Sequence, residues 1–185
     1  MEEIKLIRPQ KLHEAAVLDY KEEYFSNGEN DLHGSSLLTE MASYDAWLAH
    51  LAKQADSATV SSDWVAATTF LAVRQRDQKI IGMIDIRHYL NDFLREFGGH
   101  IGFSVRPTER KKGYATAILR LGLDYCKTLG LERVMLGCYK ENSASASTII
   151  KNGGILTKEF SHEAGKKFSF IGSICHSFSF LVMLK

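Results

Sequence analysis

The stretch that decides the fold is VRPTERKKGYATAIL, Val105–Leu119, which lies between two regular patterns. In the run before it, HIGFSV, every second residue is a large apolar one, which is the spacing of a β-strand; these residues are Ile101, Phe103 and Val105. After it, small and aliphatic residues recur at three- and four-residue steps as far as Gly130, as on one face of a helix. The stretch is therefore predicted to form the turn that leads from a strand into a helix.

This turn carries one acid, Glu109, and four basic residues, which are Arg106, Arg110, Lys111 and Lys112. The first turn of a helix has unpaired N–H donors and a partial positive charge, and Gly113 lets a ligand approach the backbone closely. A phosphate or pyrophosphate fits such a place. On charge and glycine alone, an exposed basic loop before an ordinary helix fits the stretch equally well.

Several other nucleotide-binding and catalytic motifs are missing from the sequence. It contains no G-x-x-x-x-G-K-S/T of the P-loop and no G-x-G-x-x-G after a strand. It also lacks the H-E-x-x-H motif and the Cys pair of metal sites, and the G-x-S-x-G motif of an α/β-hydrolase. These absences argue against a P-loop NTPase, a dinucleotide-binding fold and a metalloenzyme.

Length and charge fit a single domain with two differently charged parts. The chain has 185 residues, which suits one domain. Residues 1–63 carry twelve acidic and five basic residues, a net charge of −7, whereas residues 64–185 carry ten acidic and eighteen basic residues, a net charge of +8. One part of the surface can therefore favour a cation and the other an anion, although solvated helix faces explain the acidic part as well.

The sequence also predicts where the protein works and what it does not bind. Its three cysteines are widely spaced, and it has no signal-like N-terminal segment and no apolar run long enough to span a membrane. A cytoplasmic protein with reduced thiols is therefore expected. The basic turn has no extended basic, aromatic surface beside it. We expect neither a nucleic-acid partner nor a membrane partner.

The rest of the chain has the pattern of alternating strands and helices. Strands are predicted at Ile4–Pro9, Thr68–Gln75, Lys79–His88, 100–107 and Glu132–Tyr139, the last of them buried. Helices are predicted at Gln10–Phe25, Ser43–Ala55, Gly113–Gly130 and Asn142–Lys151, with Ser43 and Asn142 as N-caps. One or two strands are predicted after the last helix. This order indicates an α/β or α+β sheet domain, with a right-handed parallel crossover over residues 100–139.

Arg110–Ala115, RKKGYA, matches the Q/R-x-x-G-x-G/A signature of the GCN5-related N-acetyltransferase (GNAT) family and follows the fourth strand, as it does in that family. Together with HIGFSV, RVMLGCY and ENSASASTIIKNGG, the resemblance covers Thr68–Phe160. GGHIGFSVRPTERKKGYA and CYKENSASASTIIKNGG are similar to a bacterial subgroup of predicted acetyltransferases. The resemblance implies an α/β (α+β) fold with a mixed, mostly antiparallel central sheet, flanking helices and a parallel fourth and fifth strand that splay apart.

The resemblance further implies one acyl-CoA N-acyltransferase domain over residues 1–185, with a helical acceptor side at 10–66 and an acetyl-CoA-binding core at 68–160. Acetyl-CoA is the implied cosubstrate, and no metal is implied. Backbone N–H groups of the turn would hold its pyrophosphate, and the edge of the fourth strand would pair with its pantetheine arm. The implied cofactor-binding residues are Phe103, Ser104, Val105, Arg110, Lys111, Lys112, Gly113, Tyr114, Ala115, Thr116, Asn142 and Ser145. A plain N-cap is the alternative role of Asn142.

The catalytic residues are less well defined by the sequence. Many family members carry a Tyr seven residues after the Asn as general acid, where this chain has Ile149. His100 begins the fourth strand, where some members have a catalytic residue, and imidazole titrates near neutrality. Tyr139, at the end of the fifth strand, is the candidate for the acid. Each also fits a structural role at a strand end, and Asp85 and Glu96 are further candidates.

The resemblance predicts an N-acetyltransferase that moves the acetyl group from acetyl-CoA to a primary amine of a small molecule or peptide. The acidic helices of residues 10–55 would then attract a cationic amine. The alternative is a catalytically weak CoA or acyl-CoA sensor with the same fold. Ile149 and the C-terminal segment KKFSFIGSICHSFSFLVMLK favour this alternative, because the similar subgroup ends in a different strand. The resemblance also leaves room for a homodimer.

Overall fold

The computed structural model describes residues 2–164 and 173–184. Within them the strands are β1 (Ile4–Ile7), β2 (Ala67–Arg74), β3 (Ile80–Arg87), β4 (Ile101–Val105), β5 (Arg133–Tyr139), β6 (Ile155–Ala164) and β7 (Ser173–Met183). The α-helices are α1 (Glu14–Ser26), α2 (Tyr44–Gln54), α3 (Tyr114–Thr128) and α4 (Ser143–Lys151). Short helical turns lie at Lys11–His13, Leu94–Gly98 and Pro107–Glu109. The predicted elements are present with ends shifted by a few residues, and residues 166–172 of the unusual C-terminal segment lie outside the described residues.

The strands form two antiparallel sheets, ordered β1-β2-β3-β4 and β5-β7-β6. In the described part of the chain the sheets join where Gly99 bridges Leu136 and the N–H of His100 donates to the carbonyl of Met135 at 2.7 Å. Beyond that junction β4 and β5 do not pair with each other. The predicted mixed, mostly antiparallel fold is thus confirmed, while no parallel ladder joins these two strands.

Helices cover both faces of the four-stranded sheet, and this explains why its central strands are apolar throughout. All residues of β2 are buried, and all but the last of β3. One face packs on α3 and α4 around Ile84 and Ile118, and the other packs on α1 and α2 around Trp47 and Met83. Because successive strand residues point to opposite faces, a strand between two helical layers buries every side chain.

The sequence signals at the helix ends act as predicted. The hydroxyl of Ser43 accepts a hydrogen bond from the N–H of Ala46 at 3.1 Å where α2 begins. The side-chain oxygen of Asn142 accepts one from the N–H of Ser145 at 3.0 Å where α4 begins. Gly130, after α3, has a φ of +76°, a conformation that favours glycine. Local sequence thus sets where these helices begin and end.

The fifth strand differs from its prediction as a buried strand. In β5, Val134 and Leu136 are buried, whereas Arg133, Gly137 and Tyr139 are exposed. This strand lies at the edge of the three-stranded sheet, beside the gap that separates it from β4. Only one of its faces packs on the core, so burial alternates along the strand.

Candidate active site

One edge of β4 carries backbone groups that pair with no strand in the described part of the chain. The N–H of Arg87 donates to the carbonyl of His100, and the N–H of Arg106 donates to that of Ile81. Hydrogen-bonded residues alternate in an antiparallel ladder, so in the register of β3 and β4 the even-numbered residues of β4 face β3. The backbone groups that face the gap are those of Ile101, Phe103 and Val105.

Two of the three residues predicted at this edge therefore face the gap. Phe103 and Val105 present their backbone amides there, and the carbonyl of Val105 accepts a hydrogen bond from Nε of Arg110 at 3.2 Å. Ser104 is different, because its backbone groups face β3 and its buried hydroxyl accepts a hydrogen bond from Tyr20 at 2.9 Å. The alternation of the strand thus turns the backbone of Ser104 away from the gap, and its contact with a cofactor stays a prediction.

The turn after β4 presents a run of backbone donors. No described group accepts a hydrogen bond from the N–H of any residue from Lys111 to Thr116. The first helical bond of α3 runs from the N–H of Ala117 to the carbonyl of Gly113 at 3.3 Å, and no side chain caps the helix. Consecutive free donors at the N-terminus of a long helix suit a phosphate or pyrophosphate.

Two residues of this turn have left-handed backbone conformations. Lys111 has a φ of +61° and Gly113 a φ of +87°. Turns of this kind direct successive N–H groups into one concave site for an anion. At Gly113 the conformation is unstrained, and the missing Cβ leaves the donors accessible. At Lys111 it costs about 1–2 kcal/mol, which the surrounding structure must offset.

Glu109 is buried inside the turn and binds one of its cations. Its carboxylate accepts hydrogen bonds from Arg74 at 3.0 Å, Lys79 at 3.1 Å and Lys112 at 2.9 Å. Burial alone would raise the pKa of this carboxyl, but the three cations outweigh burial and lower the pKa to about 2. Lys112 is therefore an internal partner of Glu109, and its charge is partly neutralised.

Arg106, to which the sequence prediction gave no role, joins three elements. It is 2 % exposed, and its guanidinium donates to Asp19 at 2.9 Å and Glu23 at 2.6 Å on α1. Its Nε donates to the carbonyl of Ile80 on β3 at 2.7 Å. Arg106 thus fixes the end of β4 against α1. No local signal could have shown this, because the two acids lie 87 and 83 residues away in the chain.

The other two cations of the turn differ from each other. Arg110 forms an ion pair with Glu29 at 2.5 Å, and its guanidinium lies 5.2 Å from the centre of the Tyr24 ring. Lys111 is exposed and makes no ion pair with a described residue. Lys111 is therefore the cation of the turn that is best able to add charge to an anion held by the backbone donors.

The opposite side of the gap consists of β5 and the first turn of α4. Asn142 is exposed there, and Ser145 is partly buried. At the other end of α4, the side chain of Asn152 donates to the carbonyl of Thr116 at 3.2 Å. This bond holds α4 against the first turn of α3, so both helices border one site. The N-cap role of Asn142 is confirmed, and its contact with a cofactor stays a prediction.

Comparison with known protein families identifies one match. The family model described as acetyltransferase (GNAT) domain matches residues 6–155. The chain belongs to the GNAT acetyltransferase family. Membership supports acetyl transfer as the general activity. A comparison with curated protein sequences found no match.

Solved structures confirm that the GNAT fold extends over almost the whole chain. The ribosomal-protein-S5-alanine acetyltransferase from Vibrio fischeri is 16% identical to this chain, with a TM-score of 0.67. The match covers 97% of this chain and 91% of that protein. The spermidine/spermine N-acetyltransferase from Vibrio cholerae is 16% identical, with a TM-score of 0.64, over 97% and 93%. A protein assigned as an acetyltransferase from Salmonella typhimurium, solved with its cofactor acetyl-CoA, is 13% identical, with a TM-score of 0.65, over 98% and 94%.

In this GNAT chain, His100 lies where the two sheets join. It is 8 % exposed, and its Nδ1 accepts a hydrogen bond from the N–H of Met135 at 3.0 Å. Burial lowers the pKa of His100 to about 4, so the ring is neutral at neutral pH. A neutral ring whose Nδ1 accepts a hydrogen bond carries its proton on Nε2 and has no free nitrogen to take another. The geometry favours the structural alternative, and the role of base stays a prediction.

The candidate for the general acid, Tyr139, lies just before α4, and Ile149 lies within that helix. Tyr139 is half exposed at the end of β5, and its carbonyl accepts a hydrogen bond from the N–H of Asn142 at 3.0 Å. Ile149 is fully buried in the core, so the position of the family's tyrosine offers no hydroxyl. The role of Tyr139 as the acid stays a prediction.

Two further acids were candidates, and the structure distinguishes them. Glu96 is exposed on the helical turn Leu94–Gly98, whereas Asp85 is buried on β3. The local signal for Asp85 was a single acid within the apolar run IIGMIDIR.

In the described part of the chain, no group of three or more His, Cys, Asp or Glu residues could hold a metal ion. Among the same residues, no helix has the length and apolar character needed to cross a membrane.

Proposed function

We propose that this chain transfers the acetyl group from acetyl-CoA to a primary amine of a small molecule or peptide. The observation that carries the proposal is the run of free N–H groups from Lys111 to Thr116 beside the open edge of β4. Donors for a pyrophosphate and amides for a pantetheine arm stand at one gap, as coenzyme A requires. The acetyl-CoA bound to the Salmonella protein of the same fold supports this choice of cosubstrate.

The chain's residues would divide the binding of acetyl-CoA between backbone and side chains. The N–H groups of residues 111–116 receive the pyrophosphate, and Lys111 adds a charge from outside. The amides of Phe103 and Val105 pair with those of the pantetheine arm, as a neighbouring strand would. Tyr114 contributes its N–H, since its side chain is buried. Arg110 and Lys112 act by shaping the turn through their acidic partners.

Little further chemistry is needed for the transfer. Holding an amine against the thioester carbonyl provides much of the rate enhancement, because the two reactants are already oriented. A backbone N–H at the open edge of β4, such as that of Phe103, can stabilise the oxyanion. A base that takes a proton from the ammonium group completes the requirement.

Two glycines at the ends of α3 provide a matched test of the cofactor site. Gly113 and Gly130 both have left-handed backbones, so replacing either with Ala costs about 1–2 kcal/mol in strain. Only Gly113→Ala places a methyl group among the free donors. We expect its Kd for acetyl-CoA, measured by calorimetry, to rise at least about tenfold, while Gly130→Ala binds like the wild type. Equal affinities of the two variants would contradict a pyrophosphate at this turn.

Ile149 favours a second candidate function, a CoA or acyl-CoA sensor without turnover. This side chain is fully buried and offers no acid for the leaving thiolate. A thiol-release assay over a panel of amines, combined with calorimetry, separates the two functions. Acetyl-CoA binding without release of CoA for any amine would identify the sensor, and release with an amine would identify the transferase.

Three expectations from the sequence stay predictions. They are a homodimer, a cytoplasmic location and the division into an acceptor side at residues 10–66 and a cofactor core at residues 68–160. Sedimentation of the purified chain would test the homodimer.

A further inference from the structure

Asp85 is a buried carboxylate with one hydrogen-bond partner among the described residues. It is 6 % exposed and accepts a hydrogen bond from the hydroxyl of Thr69 at 2.8 Å. A carboxylate can accept about four hydrogen bonds, and a buried one with few partners is costly. Such a group can accept hydrogen bonds from a donor that comes from outside the chain, either water or a ligand.

Asp85 lies on the face of the sheet that α1 and α2 cover. It is opposite Thr69 on β2 and opposite Gly102 on β4, and residues opposite each other share a face of the sheet. The Cα atoms of a hydrogen-bonded pair such as Asp85 and Gly102 are about 5.5 Å apart. Gly102 has no side chain, and the next residue, Phe103, presents its amide to the gap. The carboxylate is therefore one strand away from the proposed position of the thioester.

A strained loop covers this part of the sheet. Gly34 packs so closely on β4 that a Cβ there would lie 2.6 Å from the carbonyl of Gly102. Ser36 and Leu37 both have left-handed backbones, with φ of 48° and 64°, although neither is glycine. The buried indole of Trp47 holds the loop by donating to the carbonyl of Ser35 at 2.8 Å. Strained backbone that its surroundings hold in place is common at ligand sites.

Two described histidines, His50 and His88, feel the charge of Asp85. His50 on α2 and His88 after β3 both have a pKa lowered by burial, which the charge of Asp85 partly opposes. Both are hydrogen-bond partners of hydroxyls, His50 of Ser36 and His88 of Thr68. Neither is a fixed cation, and Asp85 makes no ion pair with a described residue. The carboxylate is thus short of a cationic partner.

We propose that Asp85 receives the ammonium group of the acceptor and takes one of its protons, so that the substrate class is a primary alkylamine. This inference rests on the proposed acetyl transfer. In the reaction, one N–H proton passes to the Asp85 carboxylate, and the nitrogen lone pair forms the C–N bond with the thioester carbonyl. The C–S bond then breaks, and the thiolate takes the second proton from the nitrogen. Asp85 afterwards returns its proton to water, which leaves an amide and a thiol.

The decisive variant is Asp85→Asn, which keeps an acceptor for Thr69 and removes the charge. Thiol release is measured with the alkylamine that the wild type acetylates fastest and with an arylamine, which is uncharged at neutral pH. We expect kcat/KM for the alkylamine to fall at least about a hundredfold, with a raised KM. The loss for the arylamine should be about tenfold or less, since no ammonium is bound. The exposed acid of α3 provides the control, Asp124→Asn, which should behave like the wild type.

Calorimetry with acetyl-CoA separates this inference from the proposed function. Asp85→Asn should bind acetyl-CoA within about threefold of the wild type, because the cofactor contacts lie on other residues. Equal losses for alkylamine and arylamine, or no loss, would overturn the role of Asp85 while acetyl transfer stands. A wild type that binds no acetyl-CoA would overturn both.

A second measurement does not depend on the folding of the variant. With CoA present, the best alkylamine should raise the Tm of the wild type, because a ligand that binds the folded state stabilises it. The alcohol with the same carbon skeleton should not raise it. Equal shifts for amine and alcohol would contradict recognition of an ammonium group.

Discussion

The variant Glu109→Gln tests whether buried charges hold the proposed phosphate-binding turn. The amide has the shape of the carboxylate but no charge. In this variant Arg74, which is 8 % exposed, loses one acidic partner and still has Asp77 and Glu2. Lowering the carboxyl pKa from 4.5 to about 2 corresponds to about 3 kcal/mol of stability at neutral pH. This value is an upper bound, because Lys112 is half exposed and water screens its charge.

The dependence on pH has a definite sign. The pKa of Glu109 is lower in the folded state than in the unfolded chain, so its contribution is complete above about pH 5 and is lost as the pH falls towards 2. At pH 3 about 1.4 kcal/mol of it remains. Wild type and Glu109→Gln should therefore differ by about 2–3 kcal/mol at pH 7 and by about 1 kcal/mol at pH 3.

Urea unfolding at the two pH values measures both differences. At pH 7 the change corresponds to a fall in Tm of about 4–12 °C for a chain of this size. The control is Glu40→Gln, which removes an exposed acid and should change the free energy of unfolding by less than about 0.5 kcal/mol. A negligible difference at pH 7, or the same difference at both pH values, would refute the reasoning.

Other residues of the gap and the core give shorter tests. Ile149→Tyr should lower the free energy of unfolding by about 1–3 kcal/mol, because the site is already filled, and should not raise the rate of thiol release. A variant that releases thiol faster would contradict this expectation, and Ile149→Val is the control. His100→Asn keeps an acceptor for the N–H of Met135 and should retain activity within a few-fold, whereas a loss of about a hundredfold or more would restore His100 as base. Burial raises the pKa of the Cys126 thiol to about 12, so iodoacetamide at pH 8 should leave it unmodified in the native protein. If mass spectrometry found Cys126 alkylated as fast in the native protein as in urea, the thiol would not be protected by burial.

The features that could be predicted from the sequence have local causes. The alternation in HIGFSV, the glycine at position 113 and the cap at Asn142 each specify a backbone conformation within a few residues. Their order along the chain was enough to predict the sheet and the turn before α3. The family resemblance rests on the same local signals, and the match over residues 6–155 confirms it.

The features that could not be predicted depend on contacts between distant parts of the chain. Glu109 and Arg74 are 35 residues apart, and no local pattern pairs them. Whether Ser104 faces the gap depends on the register between β3 and β4, which a single strand does not reveal. The exposure of β5 depends on which of its faces packs on the core, and this is decided by elements distant in the chain. The sequence therefore located the turn correctly but overestimated how many of its cations are free.

The same long-range pairs explain the uneven charge of the two parts of the chain. Four acids of residues 1–63 form ion pairs with arginines of residues 64–185; they are Glu2, Asp19, Glu23 and Glu29. These pairs attach α1, the loop after it and the residues before β1 to the sheet and to the turn, so part of the acidic excess is neutralised internally. The acidic excess of residues 1–63 is therefore a weak source of attraction for a cationic acceptor. Recognition of an ammonium group needs a carboxylate that no arginine has paired, and Asp85, within the basic part of the chain, is a buried acid that fits this requirement.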